Sequence, residues 1–224
     1  MVCKLIKIYR EIFNFFFNNL KAILLITAIV ELPLTIINNT INTQAQSSIF
    51  FLLIALHISL TAISNGAFTI LFKSIIDNSE INIKDCINSS LKFLPRMASG
   101  LIIYGLCIMS GLFFLVIPGI ILGARLSLYN YFIIYENMTP IDALKQSFMA
   151  TTGYTTEITS LFIIMLFIVT APYLLVTKFI MAAKLSFPGL LIVSDFVFSV
   201  IGSLMMVFTF RIYCIIKSNG KLSI

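Results

Sequence analysis

The chain has no tryptophan, one histidine and four cysteines, namely Cys3, Cys86, Cys107 and Cys214. Zinc sites and serine–histidine catalytic sites depend on histidine side chains, and this chain has only one. We therefore expect no metal centre and no cofactor. The cysteines have no paired spacing, and the topology predicted below puts none in an outer loop, so disulfides are not expected. Tryptophan is missing while Phe, Ile, Asn and Lys are abundant, a bias expected of an AT-rich genome such as that of a reduced bacterial symbiont.

Charge is also scarce. Charged residues make up 11% of the 224 residues, whereas hydrophobic residues make up 59%. A soluble domain of this size needs a larger polar shell, so the bilayer must be the solvent for most of the chain. The apolar run from Leu20 is as long as a full span and no small-residue cleavage site follows it, which indicates an anchor rather than a signal peptide. The sequence therefore predicts an all-α membrane protein with a single integral membrane domain.

A transmembrane helix needs about 20 mainly apolar residues. Six segments qualify, and the fourth is the shortest. They are residues 20–38, 49–72, 98–117, 119–135, 158–177 and 189–213.

Basic residues between these spans are distributed unevenly. The N-terminus, the connections after the second and fourth spans and the C-terminal tail carry nearly all of them, whereas only Lys178 and Lys184 lie on the other side. Because Lys and Arg near span ends stay in the cytoplasm, both termini are predicted to be cytoplasmic in a bacterial inner membrane. The even number of spans agrees with this orientation.

Residues 5–16, 83–94 and 139–148 each have apolar residues at helical spacing with a charged face, typical of helices at the membrane interface. Thr139 as N-cap and Pro140 in the first turn mark the start of the third. We expect three hairpins, each preceded by a cytoplasmic amphipathic helix. These helices either connect the spans or bind anionic lipid, which the net charge of +6 favours. The basic residues are dispersed among membrane anchors, so nucleic acid is not an expected partner.

The fourth span carries Gly119, Gly123 and Ser127, a small residue at every fourth position, which lets another helix approach closely. Arg125 points to roughly the opposite side of that helix, so protein is expected to surround the span. Tyr129, Tyr131 and Tyr135 follow, and tyrosines commonly anchor a span at the interface.

Four ionisable residues on four spans come out at similar depth when counted from the outer ends: Arg125, Asp195, His57 and Glu31. Charges inside a membrane are costly and usually pair with each other, which makes this polar layer a candidate functional site. Arg125 is expected to pair with Asp195, with Glu31 as the alternative partner. The structural interpretation is that these residues fix the helix register, or that Arg125 extends to the outer headgroups.

A longer pattern runs through the fourth span and the helix after it. It consists of Pro118-Gly119-Ile120, Arg125-Leu126-Ser127-Leu128, Glu136, Ala143-Leu144 and Ser147. In this pattern and in length, span order and basic N-terminus, the chain resembles the YciC family of uncharacterised bacterial inner-membrane proteins. The pattern is also similar to membrane domains attached to some glycerophosphodiester phosphodiesterases, whose catalytic domain is separate. The resemblance implies a six-span protein with a role in the cell envelope, and it implies no catalytic residues.

The leading functional hypothesis is a non-enzymatic integral membrane protein that maintains the envelope by packing with lipids or with other membrane proteins. The alternative is a transporter or channel for a small solute or ion, with a path lined by the polar layer. An intramembrane enzyme is disfavoured, because no nucleophile accompanies the carboxylates and the histidine.

Overall fold

The structure, a computed structural model, describes residues 2–40, 47–77, 79, 82–183 and 187–218. All regular secondary structure in these residues is α-helical. The helices are α1 (Val2–Asn18), α2 (Leu20–Val30), α3 (Leu32–Thr40), α4 (Ser47–Ile76), α5 (Ile83–Phe114), α6 (Val116–Leu126), α7 (Tyr129–Tyr135), α8 (Pro140–Ala150), α9 (Thr155–Ala182), α10 (Pro188–Gly202) and α11 (Leu204–Ser218).

Five segments of the described chain are long and apolar enough to cross a membrane, and a bent helix pair at the N-terminus makes a sixth if it counts as one span. The chain is therefore an all-α, multi-pass membrane protein, as its composition predicts. The segments are Phe51–Ile76, Ile83–Phe114, Val116–Tyr135, Thr155–Ala182 and Gly189–Ser218, and the bent pair is Ile8–Asn18 with Leu20–Val30. Lys184 and Lys221, two of the residues used to predict orientation, lie outside the described residues.

The first predicted span, residues 20–38, is not one continuous helix. It consists of α2 and α3, which are separated at Glu31. Pro33 has no N–H to donate to the carbonyl of Ile29, which weakens the helix at this point. At the other end of α2, the chain bends by 68° between α1 and α2. The predicted amphipathic helix before the first span is therefore a separate helix.

The predicted surface helix at residues 83–94 is not separate, which corrects the expectation of one before every hairpin. It forms the first part of α5, which continues through Pro95. The buried side chains Cys86, Ser90 and Met97 follow one stripe of α5 on both sides of the proline. Packing along a single stripe keeps the two parts in line, since tertiary contacts outweigh the loss of one helical hydrogen bond.

The turn between the third and fourth predicted spans also differs from the expectation. The chain turns at Leu115, whose backbone is extended (φ −161°, ψ 148°), and not at Pro118-Gly119. Pro118 instead lies in the first turn of α6, where a missing N–H costs little. A second interruption, at residues 127 and 128, divides the predicted fourth span into α6 and α7.

The core contains an aromatic cluster that includes two of the tyrosines expected at the interface. Tyr131 is fully buried, and its ring stacks on Tyr213 with centroids 5.3 Å apart. Its hydroxyl donates to the carbonyl of Met206 at 2.8 Å. The Tyr135 hydroxyl donates to the carbonyl of Thr69 at 2.6 Å. These tyrosines join α7 to α4 and α11, and their place at a membrane interface stays a prediction.

Two amphipathic helices pack on the bundle through specific contacts. The Tyr9 hydroxyl of α1 donates to the carbonyl of Leu161 in α9 at 3.2 Å, and Glu11 forms an ion pair with Arg211 of α11. Helix α8 begins as predicted, with the Thr139 hydroxyl accepting from the amide of Asp142. Ser147 of α8 donates to the carbonyl of Arg125 in α6 at 2.7 Å. Both helices are therefore parts of the folded domain.

Candidate functional site

Three of the four residues predicted to form the polar layer line one cavity of about 390 Å³. They are Glu31 between α2 and α3, His57 on α4 and Asp195 on α10. The fourth, Arg125, does not line this cavity. The cavity residues are Glu31, Leu34, Thr35, His57, Thr61, Tyr173, Asp195, Phe198 and Ser199.

Glu31 reaches the cavity because the helix is interrupted at this residue. Its amide ends α2 by donating to the carbonyl of Thr27 at 2.8 Å, and its carbonyl accepts from the amide of Thr35 at 3.0 Å. The carboxylate accepts a hydrogen bond from the Ser64 hydroxyl of α4 at 2.7 Å. Glu31 therefore connects the interruption of the first predicted span to the second span.

Asp195 forms a second polar contact between helices. Its carboxylate accepts from the Asn39 side-chain amide of α3 at 2.9 Å. The Tyr173 hydroxyl of α9 lies beside the same carboxylate and interacts with it, and the Tyr173 ring packs edge-on against Phe198 at 5.1 Å. Asp195 thus joins α10 to α3 and α9, so three elements meet at one carboxylate.

His57 has an exposed side chain on the α4 wall of the cavity. Within the part of the chain that the structure describes, no three His, Cys, Asp or Glu side chains lie close enough together to hold a metal ion. The chemistry that the cavity offers is therefore hydrogen bonding and charge: two carboxylates, an imidazole and the hydroxyls of threonine, serine and tyrosine.

The predicted pair between Arg125 and Asp195 does not form, and neither does the alternative pair with Glu31. The Arg125 guanidinium instead donates to the carbonyl of Phe148 at 2.7 Å and to the Thr152 hydroxyl at 2.8 Å. It also lies over the Phe148 ring, 3.4 Å from the centroid. The C-terminal end of α8 offers carbonyls that accept no helical N–H and the negative end of the helix dipole, which bind a cation without a carboxylate.

Ser147 explains why the α6–α7 interruption is stable. This residue is fully buried, its hydroxyl donates to the carbonyl of Arg125 at 2.7 Å, and it accepts from the amide of Leu128 at 3.2 Å. Backbone groups that an interrupted helix leaves free must find other partners when they are buried. Arg125 and Ser147, two members of the sequence pattern, therefore fasten α8 to the junction of α6 and α7.

Other members of the pattern, and Gly123 of the small-residue series in the fourth span, also have structural contacts. A methyl group added at Gly119 would lie 2.6 Å from the Leu112 side chain, so α5 and α6 are in close contact there. The carbonyl of Gly123 accepts from the Tyr104 hydroxyl at 3.1 Å, and Ser127 is buried with its hydroxyl bonded to Ala124. Glu136 accepts from the Tyr213 hydroxyl at 3.3 Å.

Sequence reasoning missed several polar residues of the cavity and its walls, although a signal for them is present. Thr35 and Asn39 follow Glu31 at intervals of four residues, and Thr61 and Ser64 follow His57 by four and seven. Ser199, which follows Asp195 by four, was predicted to face the polar layer and does line the cavity. Such intervals place polar side chains on one face of a helix. Each ionisable residue thus marks a polar stripe, and the stripes of three helices face the same cavity. Tyr173 has no such signal.

Comparison with protein-family models, with curated proteins and with solved structures gives no match.

Proposed function

We propose that this chain is a non-enzymatic protein of a bacterial inner membrane, with both termini in the cytoplasm, that supports the cell envelope by holding anionic phospholipids at its cytoplasmic face. This role agrees with what the resemblance to the YciC family implies. The observation that supports it best is the placement of α1, which is bent by 68° from α2 and fixed to α9 and α11. A helix at this angle to the start of a span can lie along the membrane surface.

The side chains around the bend fit that interpretation. Phe17 of α1 is exposed over 62% of its surface, Arg10 is exposed two turns before it on the same helix, and Lys21 is exposed at the start of α2. An exposed aromatic ring beside cations suits the boundary between acyl chains and anionic headgroups, where each basic residue contributes about 1 kcal/mol of attraction. Other membrane proteins that use the same anionic lipids are further candidate partners.

Lipid retention tests this proposal. The protein is extracted in native lipid discs from a bacterial membrane, and the share of phosphatidylglycerol and cardiolipin in the discs is measured by mass spectrometry. The double variant Arg10→Gln/Lys21→Gln is expected to retain less anionic lipid, whereas Lys178→Gln, a control on the predicted outer side, retains as much as the unaltered protein. Equal retention by all three proteins would exclude lipid holding by α1.

The cavity around Glu31, His57 and Asp195 favours a second candidate function, a path for a small cationic solute or an ion. Two carboxylates, with neither Arg125 nor Lys among the described residues that line their cavity, offer negative charge within the membrane. Ser199 lines the cavity, whereas Ser127 is buried at the junction of α6 and α7. In a background without native cysteines, a charged thiol reagent added outside is expected to label Ser199→Cys and to leave Ser127→Cys unlabelled. Protection of both positions would exclude an open path.

A further inference from the structure

The turn that joins α5 to α6 consists entirely of apolar residues. From Gly111 to Ala124 the chain carries no polar side chain. The residues at the turn are among the most exposed hydrophobic residues of the described chain: Phe113 is 86% exposed, Phe114 79% and Ile117 71%. A turn in water normally carries Gly, Asn, Asp or Ser, so this composition indicates an apolar environment.

The two arms of this hairpin are no longer than the hydrocarbon is thick. From Arg96 to Phe114, α5 rises about 27 Å, and from Val116 to Tyr135, α6 and α7 rise about 28 Å, at about 1.5 Å per residue. Their polar ends lie together, since Arg96 donates to the Asn137 side chain. The hydrocarbon of a bilayer is about 30 Å thick. With these ends at one interface, the turn ends short of the opposite one, and any tilt of the arms places it deeper.

The backbone of the turn leaves few donors that would need water. The amide of Leu115 donates to the carbonyl of Gly111 at 3.1 Å, and the amide of Gly119 donates to the carbonyl of Leu115 at 3.5 Å. Pro118 has no N–H at all. A helix usually begins with four free N–H groups, and each one exposed to lipid costs several kcal/mol. Here the bond of Leu115 and the missing N–H of Pro118 reduce that number to the amides of Val116 and Ile117, while the bond of Gly119 is the first regular bond of α6. This makes a turn in lipid feasible.

From these observations we propose that the α5–α6 turn remains inside the hydrocarbon of the far leaflet, where residues 112–117 contact lipid acyl chains. No water-exposed loop then joins the third and fourth predicted spans. The hairpin is anchored from one side only, by Arg96, Asn137 and the contacts of α8, and its apolar end contacts the lipid of the opposite leaflet.

The absence of tryptophan makes a direct test possible. Phe114→Trp and Phe113→Trp each give the full-length chain a single tryptophan by a conservative change, which can be excited apart from the tyrosines. Ser79→Trp, at an exposed residue between α4 and α5, is the control. Each variant is reconstituted in vesicles of phosphatidylethanolamine and phosphatidylglycerol. Quenching is measured with iodide present on both sides and, separately, with lipids brominated near the middle of the acyl chain.

Emission from both turn variants is expected to be blue-shifted, quenched strongly by the brominated lipids and quenched severalfold less by iodide than that of Ser79→Trp. Iodide quenching equal to that of the control would show that the turn is in water and would overturn the proposal. Protection from both quenchers would overturn it too, because a protein surface and not lipid would then cover the turn. Using two adjacent positions guards against the loss of one variant through misfolding.

Discussion

Arg125 and Ser147 connect α6 to α8 through two hydrogen bonds that run in opposite directions. The Ser147 hydroxyl donates to the carbonyl of Arg125, and the Arg125 guanidinium donates to the carbonyl of Phe148, the residue after Ser147. The interruption between α6 and α7 and the C-terminal end of α8 both have backbone groups without a helical partner. Each thereby supplies hydrogen-bond partners to the other. Three members of the sequence pattern, Arg125, Leu128 and Ser147, therefore have a structural role in this junction.

Replacing Ser147 by alanine should destabilise the protein. The change removes the partner of two buried backbone groups, the carbonyl of Arg125 and the amide of Leu128, and such losses cost about 1–3 kcal/mol per group. The free energy of unfolding can be measured in mixed micelles titrated with dodecyl sulfate. Ser110→Ala is the control, because that exposed hydroxyl bonds only to Cys107 in its own helix. A Ser147→Ala protein as stable as the control would contradict the described junction.

The effects of Arg125→Ala and Asp195→Ala should be independent. The sequence favours an ion pair between them, whose removal would give strongly coupled effects and a partial rescue by exchange of the two charges. In the structure they contact different helices, so their effects on unfolding free energy are expected to add within about 0.5 kcal/mol. The charge exchange should be worse than either single change. Coupling well above that limit would indicate an ion pair between Arg125 and Asp195 and would contradict the contacts described for them.

Close approach of α5 and α6 makes two glycines intolerant of substitution. A methyl group at Gly119 or at Gly111 would lie 2.6–2.8 Å from atoms of the facing helix. Forcing such a contact typically costs about 1–3 kcal/mol, so both alanine variants should melt at lower temperature. Gly105→Ala, on the same α5 but with no atom within 4 Å, should be neutral or stabilising because alanine favours helix. Equal melting of Gly105→Ala and Gly119→Ala would argue against this packing.

Composition and hydropathy were sufficient to predict a membrane protein, its helical structure and most span positions. An apolar run of about 20 residues is stable in few forms other than a transmembrane helix. They did not predict where the spans are interrupted. Glu31 and Ser127 each lie at a break that depends on partners far along the chain, Ser64 for the first and Ser147 of α8 for the second. Pro33 weakens the helix locally at the first break, but the partners that stabilise each interruption come from distant helices and cannot be read from local sequence.

The polar layer was likewise predicted only in part. Estimating depth along separate helices grouped Glu31, His57 and Asp195, which do line one cavity. The same estimate included Arg125 wrongly, because equal depth says nothing about which faces meet, and an arginine is satisfied as well by helix-end carbonyls as by a carboxylate. The polar stripes on the first, second and sixth predicted spans carried the missing information about faces.

The contact between Glu31 and Ser64 can be isolated by a double-mutant cycle. If the carboxylate and the hydroxyl interact as described, at 2.7 Å, Glu31→Ala and Ser64→Ala should be coupled by about 0.5–3 kcal/mol in unfolding free energy. Ser59→Ala on the same helix is the matched control, because that hydroxyl bonds to Ala55 of its own helix, and its effect should add to that of Glu31→Ala. If the two cycles gave the same coupling, α2 and α4 would not be joined through this carboxylate, and the cavity would lose one of its walls.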